Sequence, residues 1–257
     1  MKTVDNLTFG RKILFSHVYL LSRIGMILSS LLLVPGCVED DSQPEGDIRV
    51  ISDSFVSGMQ GWAGGFADLP VDGLDSYELE VELDNLPEET GETGQAIRVQ
   101  GHNRSDDLFM FLKKEISGLE PGASYQVVFK VKLASSYPEN SVGIGGSPGG
   151  SVYLKAGAVN FEPEPEPVEE AQTTYHRMNI DKGNQSQDGS DMYGLGTIGI
   201  AGDDFVYQII SRDNQDRPQQ VTADEEGKLW LIVGTDSGFE GLTVLYYQEI
   251  EVTLTKK

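Results

Sequence analysis

Oxygen-bearing side chains crowd into three short runs of this sequence. Asp181-Lys182-Gly183-Asn184, followed by Asp188 and Asp191, is the first; His102-Asn103-Arg104-Ser105-Asp106-Asp107 is the second; Asp236-Ser237 is the third. Carboxylate and amide oxygens at that density suit a hard cation such as calcium. Asp181, Asn184 and Asp188 are therefore candidate ligands of a structural calcium ion, the one cofactor these residues suggest. None of the runs has the D-x-[DN]-x-[DN]-G order of a calcium loop, and Asn, Asp and Gly are also the ordinary residues of tight turns. A zinc site is not expected, because the whole chain holds only 3 His and 1 Cys and zinc takes several N or S ligands.

Nucleophilic chemistry has one superficial candidate. Gly145-Gly146-Ser147-Pro148-Gly149 fits G-x-S-x-G, but a nucleophile elbow needs a helix after the serine and then an acid and a histidine in order. Pro148, Gly149 and Gly150 followed by a strand-like run read instead as a glycine-rich turn. The run from Gly143 to Gly150 also lacks the Gly-Lys-Ser/Thr end of a phosphate loop. Paired carboxylates for glycoside hydrolysis depend on a separation that composition does not supply, so no catalytic motif stands out. Aromatic rings flanked by polar groups are the other route to sugars. Trp62, within Gly61-Trp62-Ala63-Gly64-Gly65-Phe66, is the candidate platform, with Arg104, Asp106 and Asp107 as polar companions. Trp230 reads as core.

The amino terminus supplies an address. Lys2, Arg11, Lys12 and Arg23 precede an apolar stretch from Ile24 to Val34, which ends in Val34-Pro35-Gly36-Cys37. A basic region, a short apolar region and small residues before a cut site describe a secretory signal. The last four residues resemble a bacterial lipobox, with Pro35 less usual at its place than Ala or Ser. That resemblance implies cleavage after residue 36, lipidation of Cys37, and attachment to a bilayer through acyl chains that contribute about 0.8 kcal/mol per buried methylene. The protein is then expected at the cell envelope, on either face of the outer membrane. Val38-Glu39-Asp40-Asp41 resembles the surface-export signals of some Bacteroidetes lipoproteins. The net charge of −22 becomes more negative once the basic leader is gone, and such a polyanion repels nucleic-acid phosphates.

These residues need elements to position them. Residues 37–50 read as a flexible tether and residues 51–257 as one domain of strands. Tyr77 to Asp84 alternates strictly, placing Glu78, Glu80, Glu82 and Asp84 on one face, a solvated row that Lys130 and Lys132 could oppose. Ala96–Val99, Leu108–Leu112, Tyr125–Leu133, Ser151–Phe161, His176–Ile180 and Phe205–Ile210 continue the series. Leu229–Val233 is apolar on both faces and reads as a central strand. Thr243–Leu254 ends with Ile250, Val252 and Leu254 alternating against Glu249, Glu251 and Thr253. The Pro/Glu run at 162–170 reads as a protruding loop, stiffened by proline and self-repulsion. No long stripe of 3.6-residue period is present. The expected fold is all-β, a single antiparallel β-sandwich or jelly roll.

Gly61-Trp62 with Phe66-Ala67-Asp68, Ser105 to Phe111, and Met178 to Gln185 resemble an uncharacterised family of secreted bacterial proteins, a likeness that implies no known activity. The closing pattern, Leu229-Trp230-Leu231-Ile232-Val233-Gly234 and then Tyr246-Tyr247, resembles the galactose-binding-like jelly rolls of carbohydrate-binding modules. That likeness implies a sandwich, a glycan partner, and a structural calcium near the chain ends, where Asp53 and Glu251 would stand. The expectation is thus an envelope lipoprotein with a ligand-binding sandwich, its ligand a carbohydrate. The alternatives are a two-carboxylate glycoside hydrolase on the same fold and a structural or assembly lipoprotein that binds another envelope protein.

Overall fold

Side chains that alternate in character along the chain pair edge to edge and sort into facing layers. The structure is a computed structural model that describes residues 47–104 and 107–257. The leader, Cys37 and most of the tether lie outside the described residues, as does Asp106. The described residues belong to one compact unit. Its strands in chain order begin with β1 (Ile48–Ser54), β2 (Ala63–Ala67), β3 (Leu69–Pro70), β4 (Glu80–Asn85) and β5 (Gln95–His102). Then come β6 (Leu108–Ile116), β7 (Ser124–Ser135), β8 (Val152–Val159), β9 (Pro165–Glu170) and β10 (Thr173–Met178). β11 (Tyr193–Thr197), β12 (Gln208–Asp213), β13 (Gln219–Thr222), β14 (Leu229–Ser237) and β15 (Leu242–Lys256) complete the series.

A 7-stranded sheet has the order β12-β7-β15-β5-β4, with β1 also on β15 and β13 also on β7. A 5-stranded sheet has the order β11-β8-β14-β6-β2. Strand pairing throughout is antiparallel, and the fold is the expected sandwich. The two sheets close on Val127, Phe129, Val131 and Leu133 of β7, Ile250, Val252 and Leu254 of β15, and Leu229, Leu231 and Val233 of β14, all buried in one core. Burying side chains of this size contributes about 1.5–3 kcal/mol each, and period-two alternation delivers them all to the same side.

β15 changes phase once. Leu245 and Tyr247 face the core, and so do Ile250, Val252 and Leu254; the register against β7 shifts between Tyr247 and Glu249. This bulge places both Gln248 and Glu249 outward and keeps the apolar residues inward on either side of it. Without the extra residue, one half of the strand would turn its leucines and valines to water.

Two elements differ from the sequence reading. β4 starts at Glu80 rather than Tyr77, because Leu74–Tyr77 is a 3-10 turn and Glu78 adopts a left-handed backbone, φ 51°. The Pro/Glu run is no protruding loop over its whole length: Pro165–Glu170 is strand β9, paired with β10 in register Glu166↔Arg177 and Val168↔Tyr175. β9 is the edge of a 3-stranded sheet, β3-β10-β9. Pro165 and Pro167 alternate, so their missing N–H groups fall on the side with no neighbour, where a strand tolerates proline.

This small sheet and the segment that follows it form a third layer over the outer face of the 5-stranded sheet. Ile180 and Met192 pack there against Phe109, Phe111 and Ile232. That is why β14 is apolar on both faces. The layers meet closely at Gly157, where a Cβ would lie 1.9 Å from the Asp191 carbonyl oxygen. Replacing Gly157 with Ala therefore pushes the covering segment off the sheet. The expected cost is about 1–3 kcal/mol, as for other overpacked sites, read as a lower midpoint in urea unfolding. An unchanged midpoint would mean that this covering layer is not held against the strand.

Candidate functional site

Trp62 does not offer a platform. Its side chain is 3% exposed and belongs to the core between the sheets, and Nε1 donates to Asp53 Oδ2 at 2.9 Å. The turn before it, with Gln60 and Gly61 at positive φ and Trp62 N–H bonded to the Met59 carbonyl, aims the ring inward. A sugar face needs an open ring, so the proposed stacking role is corrected to a packing role. Asp53 also holds Lys114 Nζ at 2.6 Å. Across the β1/β15 ladder Ser52 stands opposite Glu251, so Asp53 points to the other face of the sheet from Glu251. The two carboxylates do not meet and do not form a shared calcium site.

The remaining candidates divide between two places. Arg104 donates through Nε to the Ser76 carbonyl at 2.6 Å and pairs with Glu78 at 3.0 Å, which fastens the end of β5 to the turn before β4. Asp188 accepts from the Gly194 N–H at 2.7 Å and pairs with Arg217, so it is turned away from Asp181 and Asn184. Asp181 accepts from the N–H groups of Gly183 and Ser190 at 3.0 and 2.9 Å. The Ser190 and Gly183 N–H groups hold its carboxyl below the usual carboxylate range. Among the described residues no group of three or more His, Cys, Asp or Glu is arranged to hold a metal ion. Ser147 accepts from the N–H groups of Gly149 and Gly150 and donates to the Glu139 carbonyl, which makes it the staple of a turn.

Asp107, Asp181 and Asn184 do share a wall. They line a cleft of about 330 Å³ with Asp68, Arg177 and Lys182, at the edge of the third layer. Asp107 accepts from Gln185 Nε2 at 2.9 Å. Burial pushes its carboxyl above the ordinary range, and the Gln185 hydrogen bond offsets this only in part. Asp68 sits at φ 61° and Gln185 at φ 47°, conformations that cost a non-glycine residue energy and that cluster at functional sites. Asp68 is held through Oδ1 by Arg177 at 3.0 Å and through Oδ2 by Lys182 at 2.8 Å.

A second candidate lies on the uncovered face of the 7-stranded sheet, and the sequence reading missed it. Lys130 stands between Glu251 of β15 and Asp213 of β12; Lys132 stands between Glu249 and Ser211. Lys132 also pairs with Glu92 at 3.1 Å. Two adjoining cavities, about 330 and 370 Å³, run along these rows and share Lys130 and Glu251. At one end Tyr207 and Tyr246 meet edge to face, centroids 5.4 Å apart and planes at 89°. They pack with Ala96, Ala134 and Ile209 in a small apolar group of their own. Arg98, directly across from Tyr246, pairs with Glu80 and with Glu82 at 2.9 Å. The acidic row of β4 is thus answered by Arg98, while Lys130 and Lys132 stand opposite Glu251 and Glu249 of β15 in the ladder. By alternation Tyr246 shares the inward parity of Ile250, Val252 and Leu254, and only the bulge after Tyr247 turns it outward; its meeting with Tyr207 further depends on β12 and β15 flanking the same strand, β7, which no local pattern reveals.

No protein-family model matches this chain, and no curated protein matches it. Solved structures with a similar course of chain include the enzymatically active domain of tailspike protein 4 of bacteriophage CBA120, at 11% identity over 77% of this chain, TM-score 0.31. This chain spans 20% of that protein's length. A putative sugar binding protein from Bacteroides thetaiotaomicron is similar at 12% identity over 76% of this chain and 88% of that one, TM-score 0.34. The family 11 carbohydrate-binding module of a Clostridium thermocellum cellulase is similar at 8% identity over 82% of this chain and 97% of that one, TM-score 0.37. At such scores the function rests on this chain's own side chains.

The cleft makes a pH prediction. A carboxyl whose folded pKa is raised stabilises the fold below its unfolded pKa, and that contribution is lost as pH rises through the folded value. Asp107→Asn keeps an oxygen for Gln185 and removes the titration. The variant should gain melting temperature relative to the unaltered chain at pH 7 and show no gain at pH 4. Equal differences at both pH values would show that Asp107 is not destabilised by its burial.

Proposed function

We infer that this protein is a cell-envelope lipoprotein whose sandwich binds a glycan along the open face of the 7-stranded sheet. The observation that carries this reading is the Tyr207–Tyr246 pair at the head of a groove walled by Lys130, Lys132, Glu249 and Glu251. A sugar ring has apolar C–H faces and a rim of hydroxyls. It is matched by aromatic surface beside a few fixed donors and acceptors. Here Lys132 is held by Glu92 and Glu249 accepts from the Ser52 hydroxyl, so a ligand meets side chains that are already partly oriented and less ordering is required on binding.

Attachment through Cys37 completes the reading. The chain enters the sandwich at Ile48, opposite Thr255 near the end of β15, whereas Tyr246 lies near the beginning of that strand. At about 3.3 Å per residue the aromatic pair lies roughly 30 Å along the sheet from the entry. The tether expected at 37–50, whose last three residues already belong to β1, would then let the groove point away from the lipid.

The hydrolase alternative has one observation on its side, the three carboxylates of the cleft, Asp68, Asp107 and Asp181, with burial raising Asp107 above the ordinary carboxylate range. Its partner would have to accept a proton or attack carbon, but both oxygens of Asp68 are already held by cations and both oxygens of Asp181 accept from backbone N–H groups. Binding without turnover is the better-supported reading.

Native affinity electrophoresis in gels cast with soluble neutral or acidic polysaccharides tests the binding. The chain should be retarded by at least one of them, and Tyr207→Ala with Tyr246→Ala should weaken that binding about tenfold, or roughly 1.4 kcal/mol. Retardation that survives the double variant would remove the groove as the site, and no retardation by any polysaccharide would remove the function. Labelling of cells with a clickable fatty acid should mark the unaltered chain and leave Cys37→Ala unmarked and released from the membrane fraction; equal labelling of both would dismiss the anchor.

A further inference from the structure

Three charged side chains lie beneath the third layer, and two of them have no contact with solvent. Lys155 projects from the outer face of β8 and Asp236 from the neighbouring strand β14; both side chains are 0% exposed. Lys155 Nζ donates to the carbonyls of Lys182 and Gln187 at 2.7 and 2.8 Å. Its next neighbour is Asp236 Oδ2, at 3.4 Å. The same Oδ2 accepts from Lys182 Nζ at 2.7 Å and from the Gln185 N–H at 2.8 Å. Asp236 Oδ1 is buried and, among the described residues, has no hydrogen-bond donor. The rings of Phe109 and Phe111 and the side chains of Ile232 and Met192 pack on the same outer face of the sheet.

Each part of this arrangement suits one role in amide formation. A neutral amine has two N–H bonds and a lone pair. Two carbonyls take the N–H bonds of Lys155, which leaves the third tetrahedral direction for the Asp236 carboxyl. Burial, only partly offset by Asp236, lowers the Lys155 ammonium below the usual lysine range, which favours the nucleophilic form. Lys182 and the Gln185 N–H hold Oδ2 where negative charge would develop in a tetrahedral intermediate. Lys182 keeps its own proton: burial disfavours its charge, but Asp236 and Asp68 outweigh that and hold it above its ordinary value. Oδ1, held by nothing, is the oxygen free to leave.

We propose that Lys155 and Asp236 are joined by an amide bond that forms within the folded chain. Nζ of Lys155 bonds to Cγ of Asp236, the Cγ–Oδ1 bond breaks, and Oδ1 departs as water with the two protons given up by the Lys155 ammonium. Nothing is oxidised or reduced and no co-reactant is needed. The surroundings drive the step: holding an ion pair away from water is costly, and condensation replaces both ions with one neutral group. Lys182 then remains paired with Asp68, and Asp68 with Arg177. The bond would tie β8 to β14 under the third layer, across the long stretch of chain between them.

Mass spectrometry of the full chain, unfolded and digested with trypsin, decides the matter. The expected result is a branched peptide joining the segment around Lys155 to the one containing Asp236, lighter than the two together by one water, with no cleavage after Lys155. In Lys155→Met and in Asp236→Ala the two segments should run as linear peptides. Cleavage after Lys155 in the unaltered chain, with the Asp236 peptide at its full mass, would overturn the proposal. A branch through Lys182 would overturn the assignment to Lys155. The unaltered protein alone gives this answer, so the result does not depend on whether the variants fold.

Discussion

The alternation along β7 and β15 is the constraint on which the rest depends. On one side of this strand pair Phe129, Val131, Leu133, Ile250, Val252 and Leu254 fill the core; on the other, Lys130 and Lys132 face Glu251 and Glu249. Opposed charges on neighbouring strands contribute only about 0.2–1 kcal/mol each, so the lysines and glutamates do not hold the sandwich together. The core does, and the bulge at Gln248–Glu249 keeps it in phase over the whole of β15. The charged rows are in consequence free to be specified by something other than stability. A polar face beside an aromatic pair is what remains when packing has made its demands.

The 5-stranded sheet obeys the opposite rule. Its outer face carries Phe109, Phe111, Ile232 and the fully buried Lys155 and Asp236, and a face of that kind cannot stand in water. The chain spends residues 160–192 on covering it. Covering it buries charges, and those charges must then be satisfied within a few ångströms. Lys182 supplies one answer and the backbone carbonyls of Lys182 and Gln187 another. One oxygen of Asp236 is left over, and it is the group that a purely packing account of this layer leaves without a reason.

Fold and site were unequally legible in the sequence. β7, β14 and β15 could be read from alternation and apolar runs alone, since those patterns are local. β9 was hidden because proline is usually a breaker, and only an edge position makes Pro165 and Pro167 compatible with a strand. Trp62 misled for a related reason: a glycine-rich setting suggests an exposed loop, while the turn it builds directs the ring into the core. The cleft draws on Asp68, Asp107 and Lys182 and the buried network on Lys155, Lys182 and Asp236, so their meeting depends on topology. A local signal did exist. Lys155 interrupts the run from Val152 to Val159, and Asp236 closes the apolar run of β14. Opposite charges set inside two strands that otherwise read as core are a reason to look for a buried partnership.

The two faces of the sandwich therefore carry different kinds of polar group, and the difference is one of solvent access. On the open face each charge keeps contact with water, so it is worth little to stability and can be exchanged for ligand contacts at small cost. Under the third layer the same residue types are desolvated, and removing one partner there leaves an uncompensated charge at a cost of about 3–5 kcal/mol. A binding surface needs side chains that are oriented but not irreplaceable, which describes Lys130, Lys132, Glu249 and Glu251. Lys155 and Asp236 meet neither water nor ligand, so any chemistry they have is with each other. The open sheet can therefore exchange its polar contacts, whereas the covered sheet cannot.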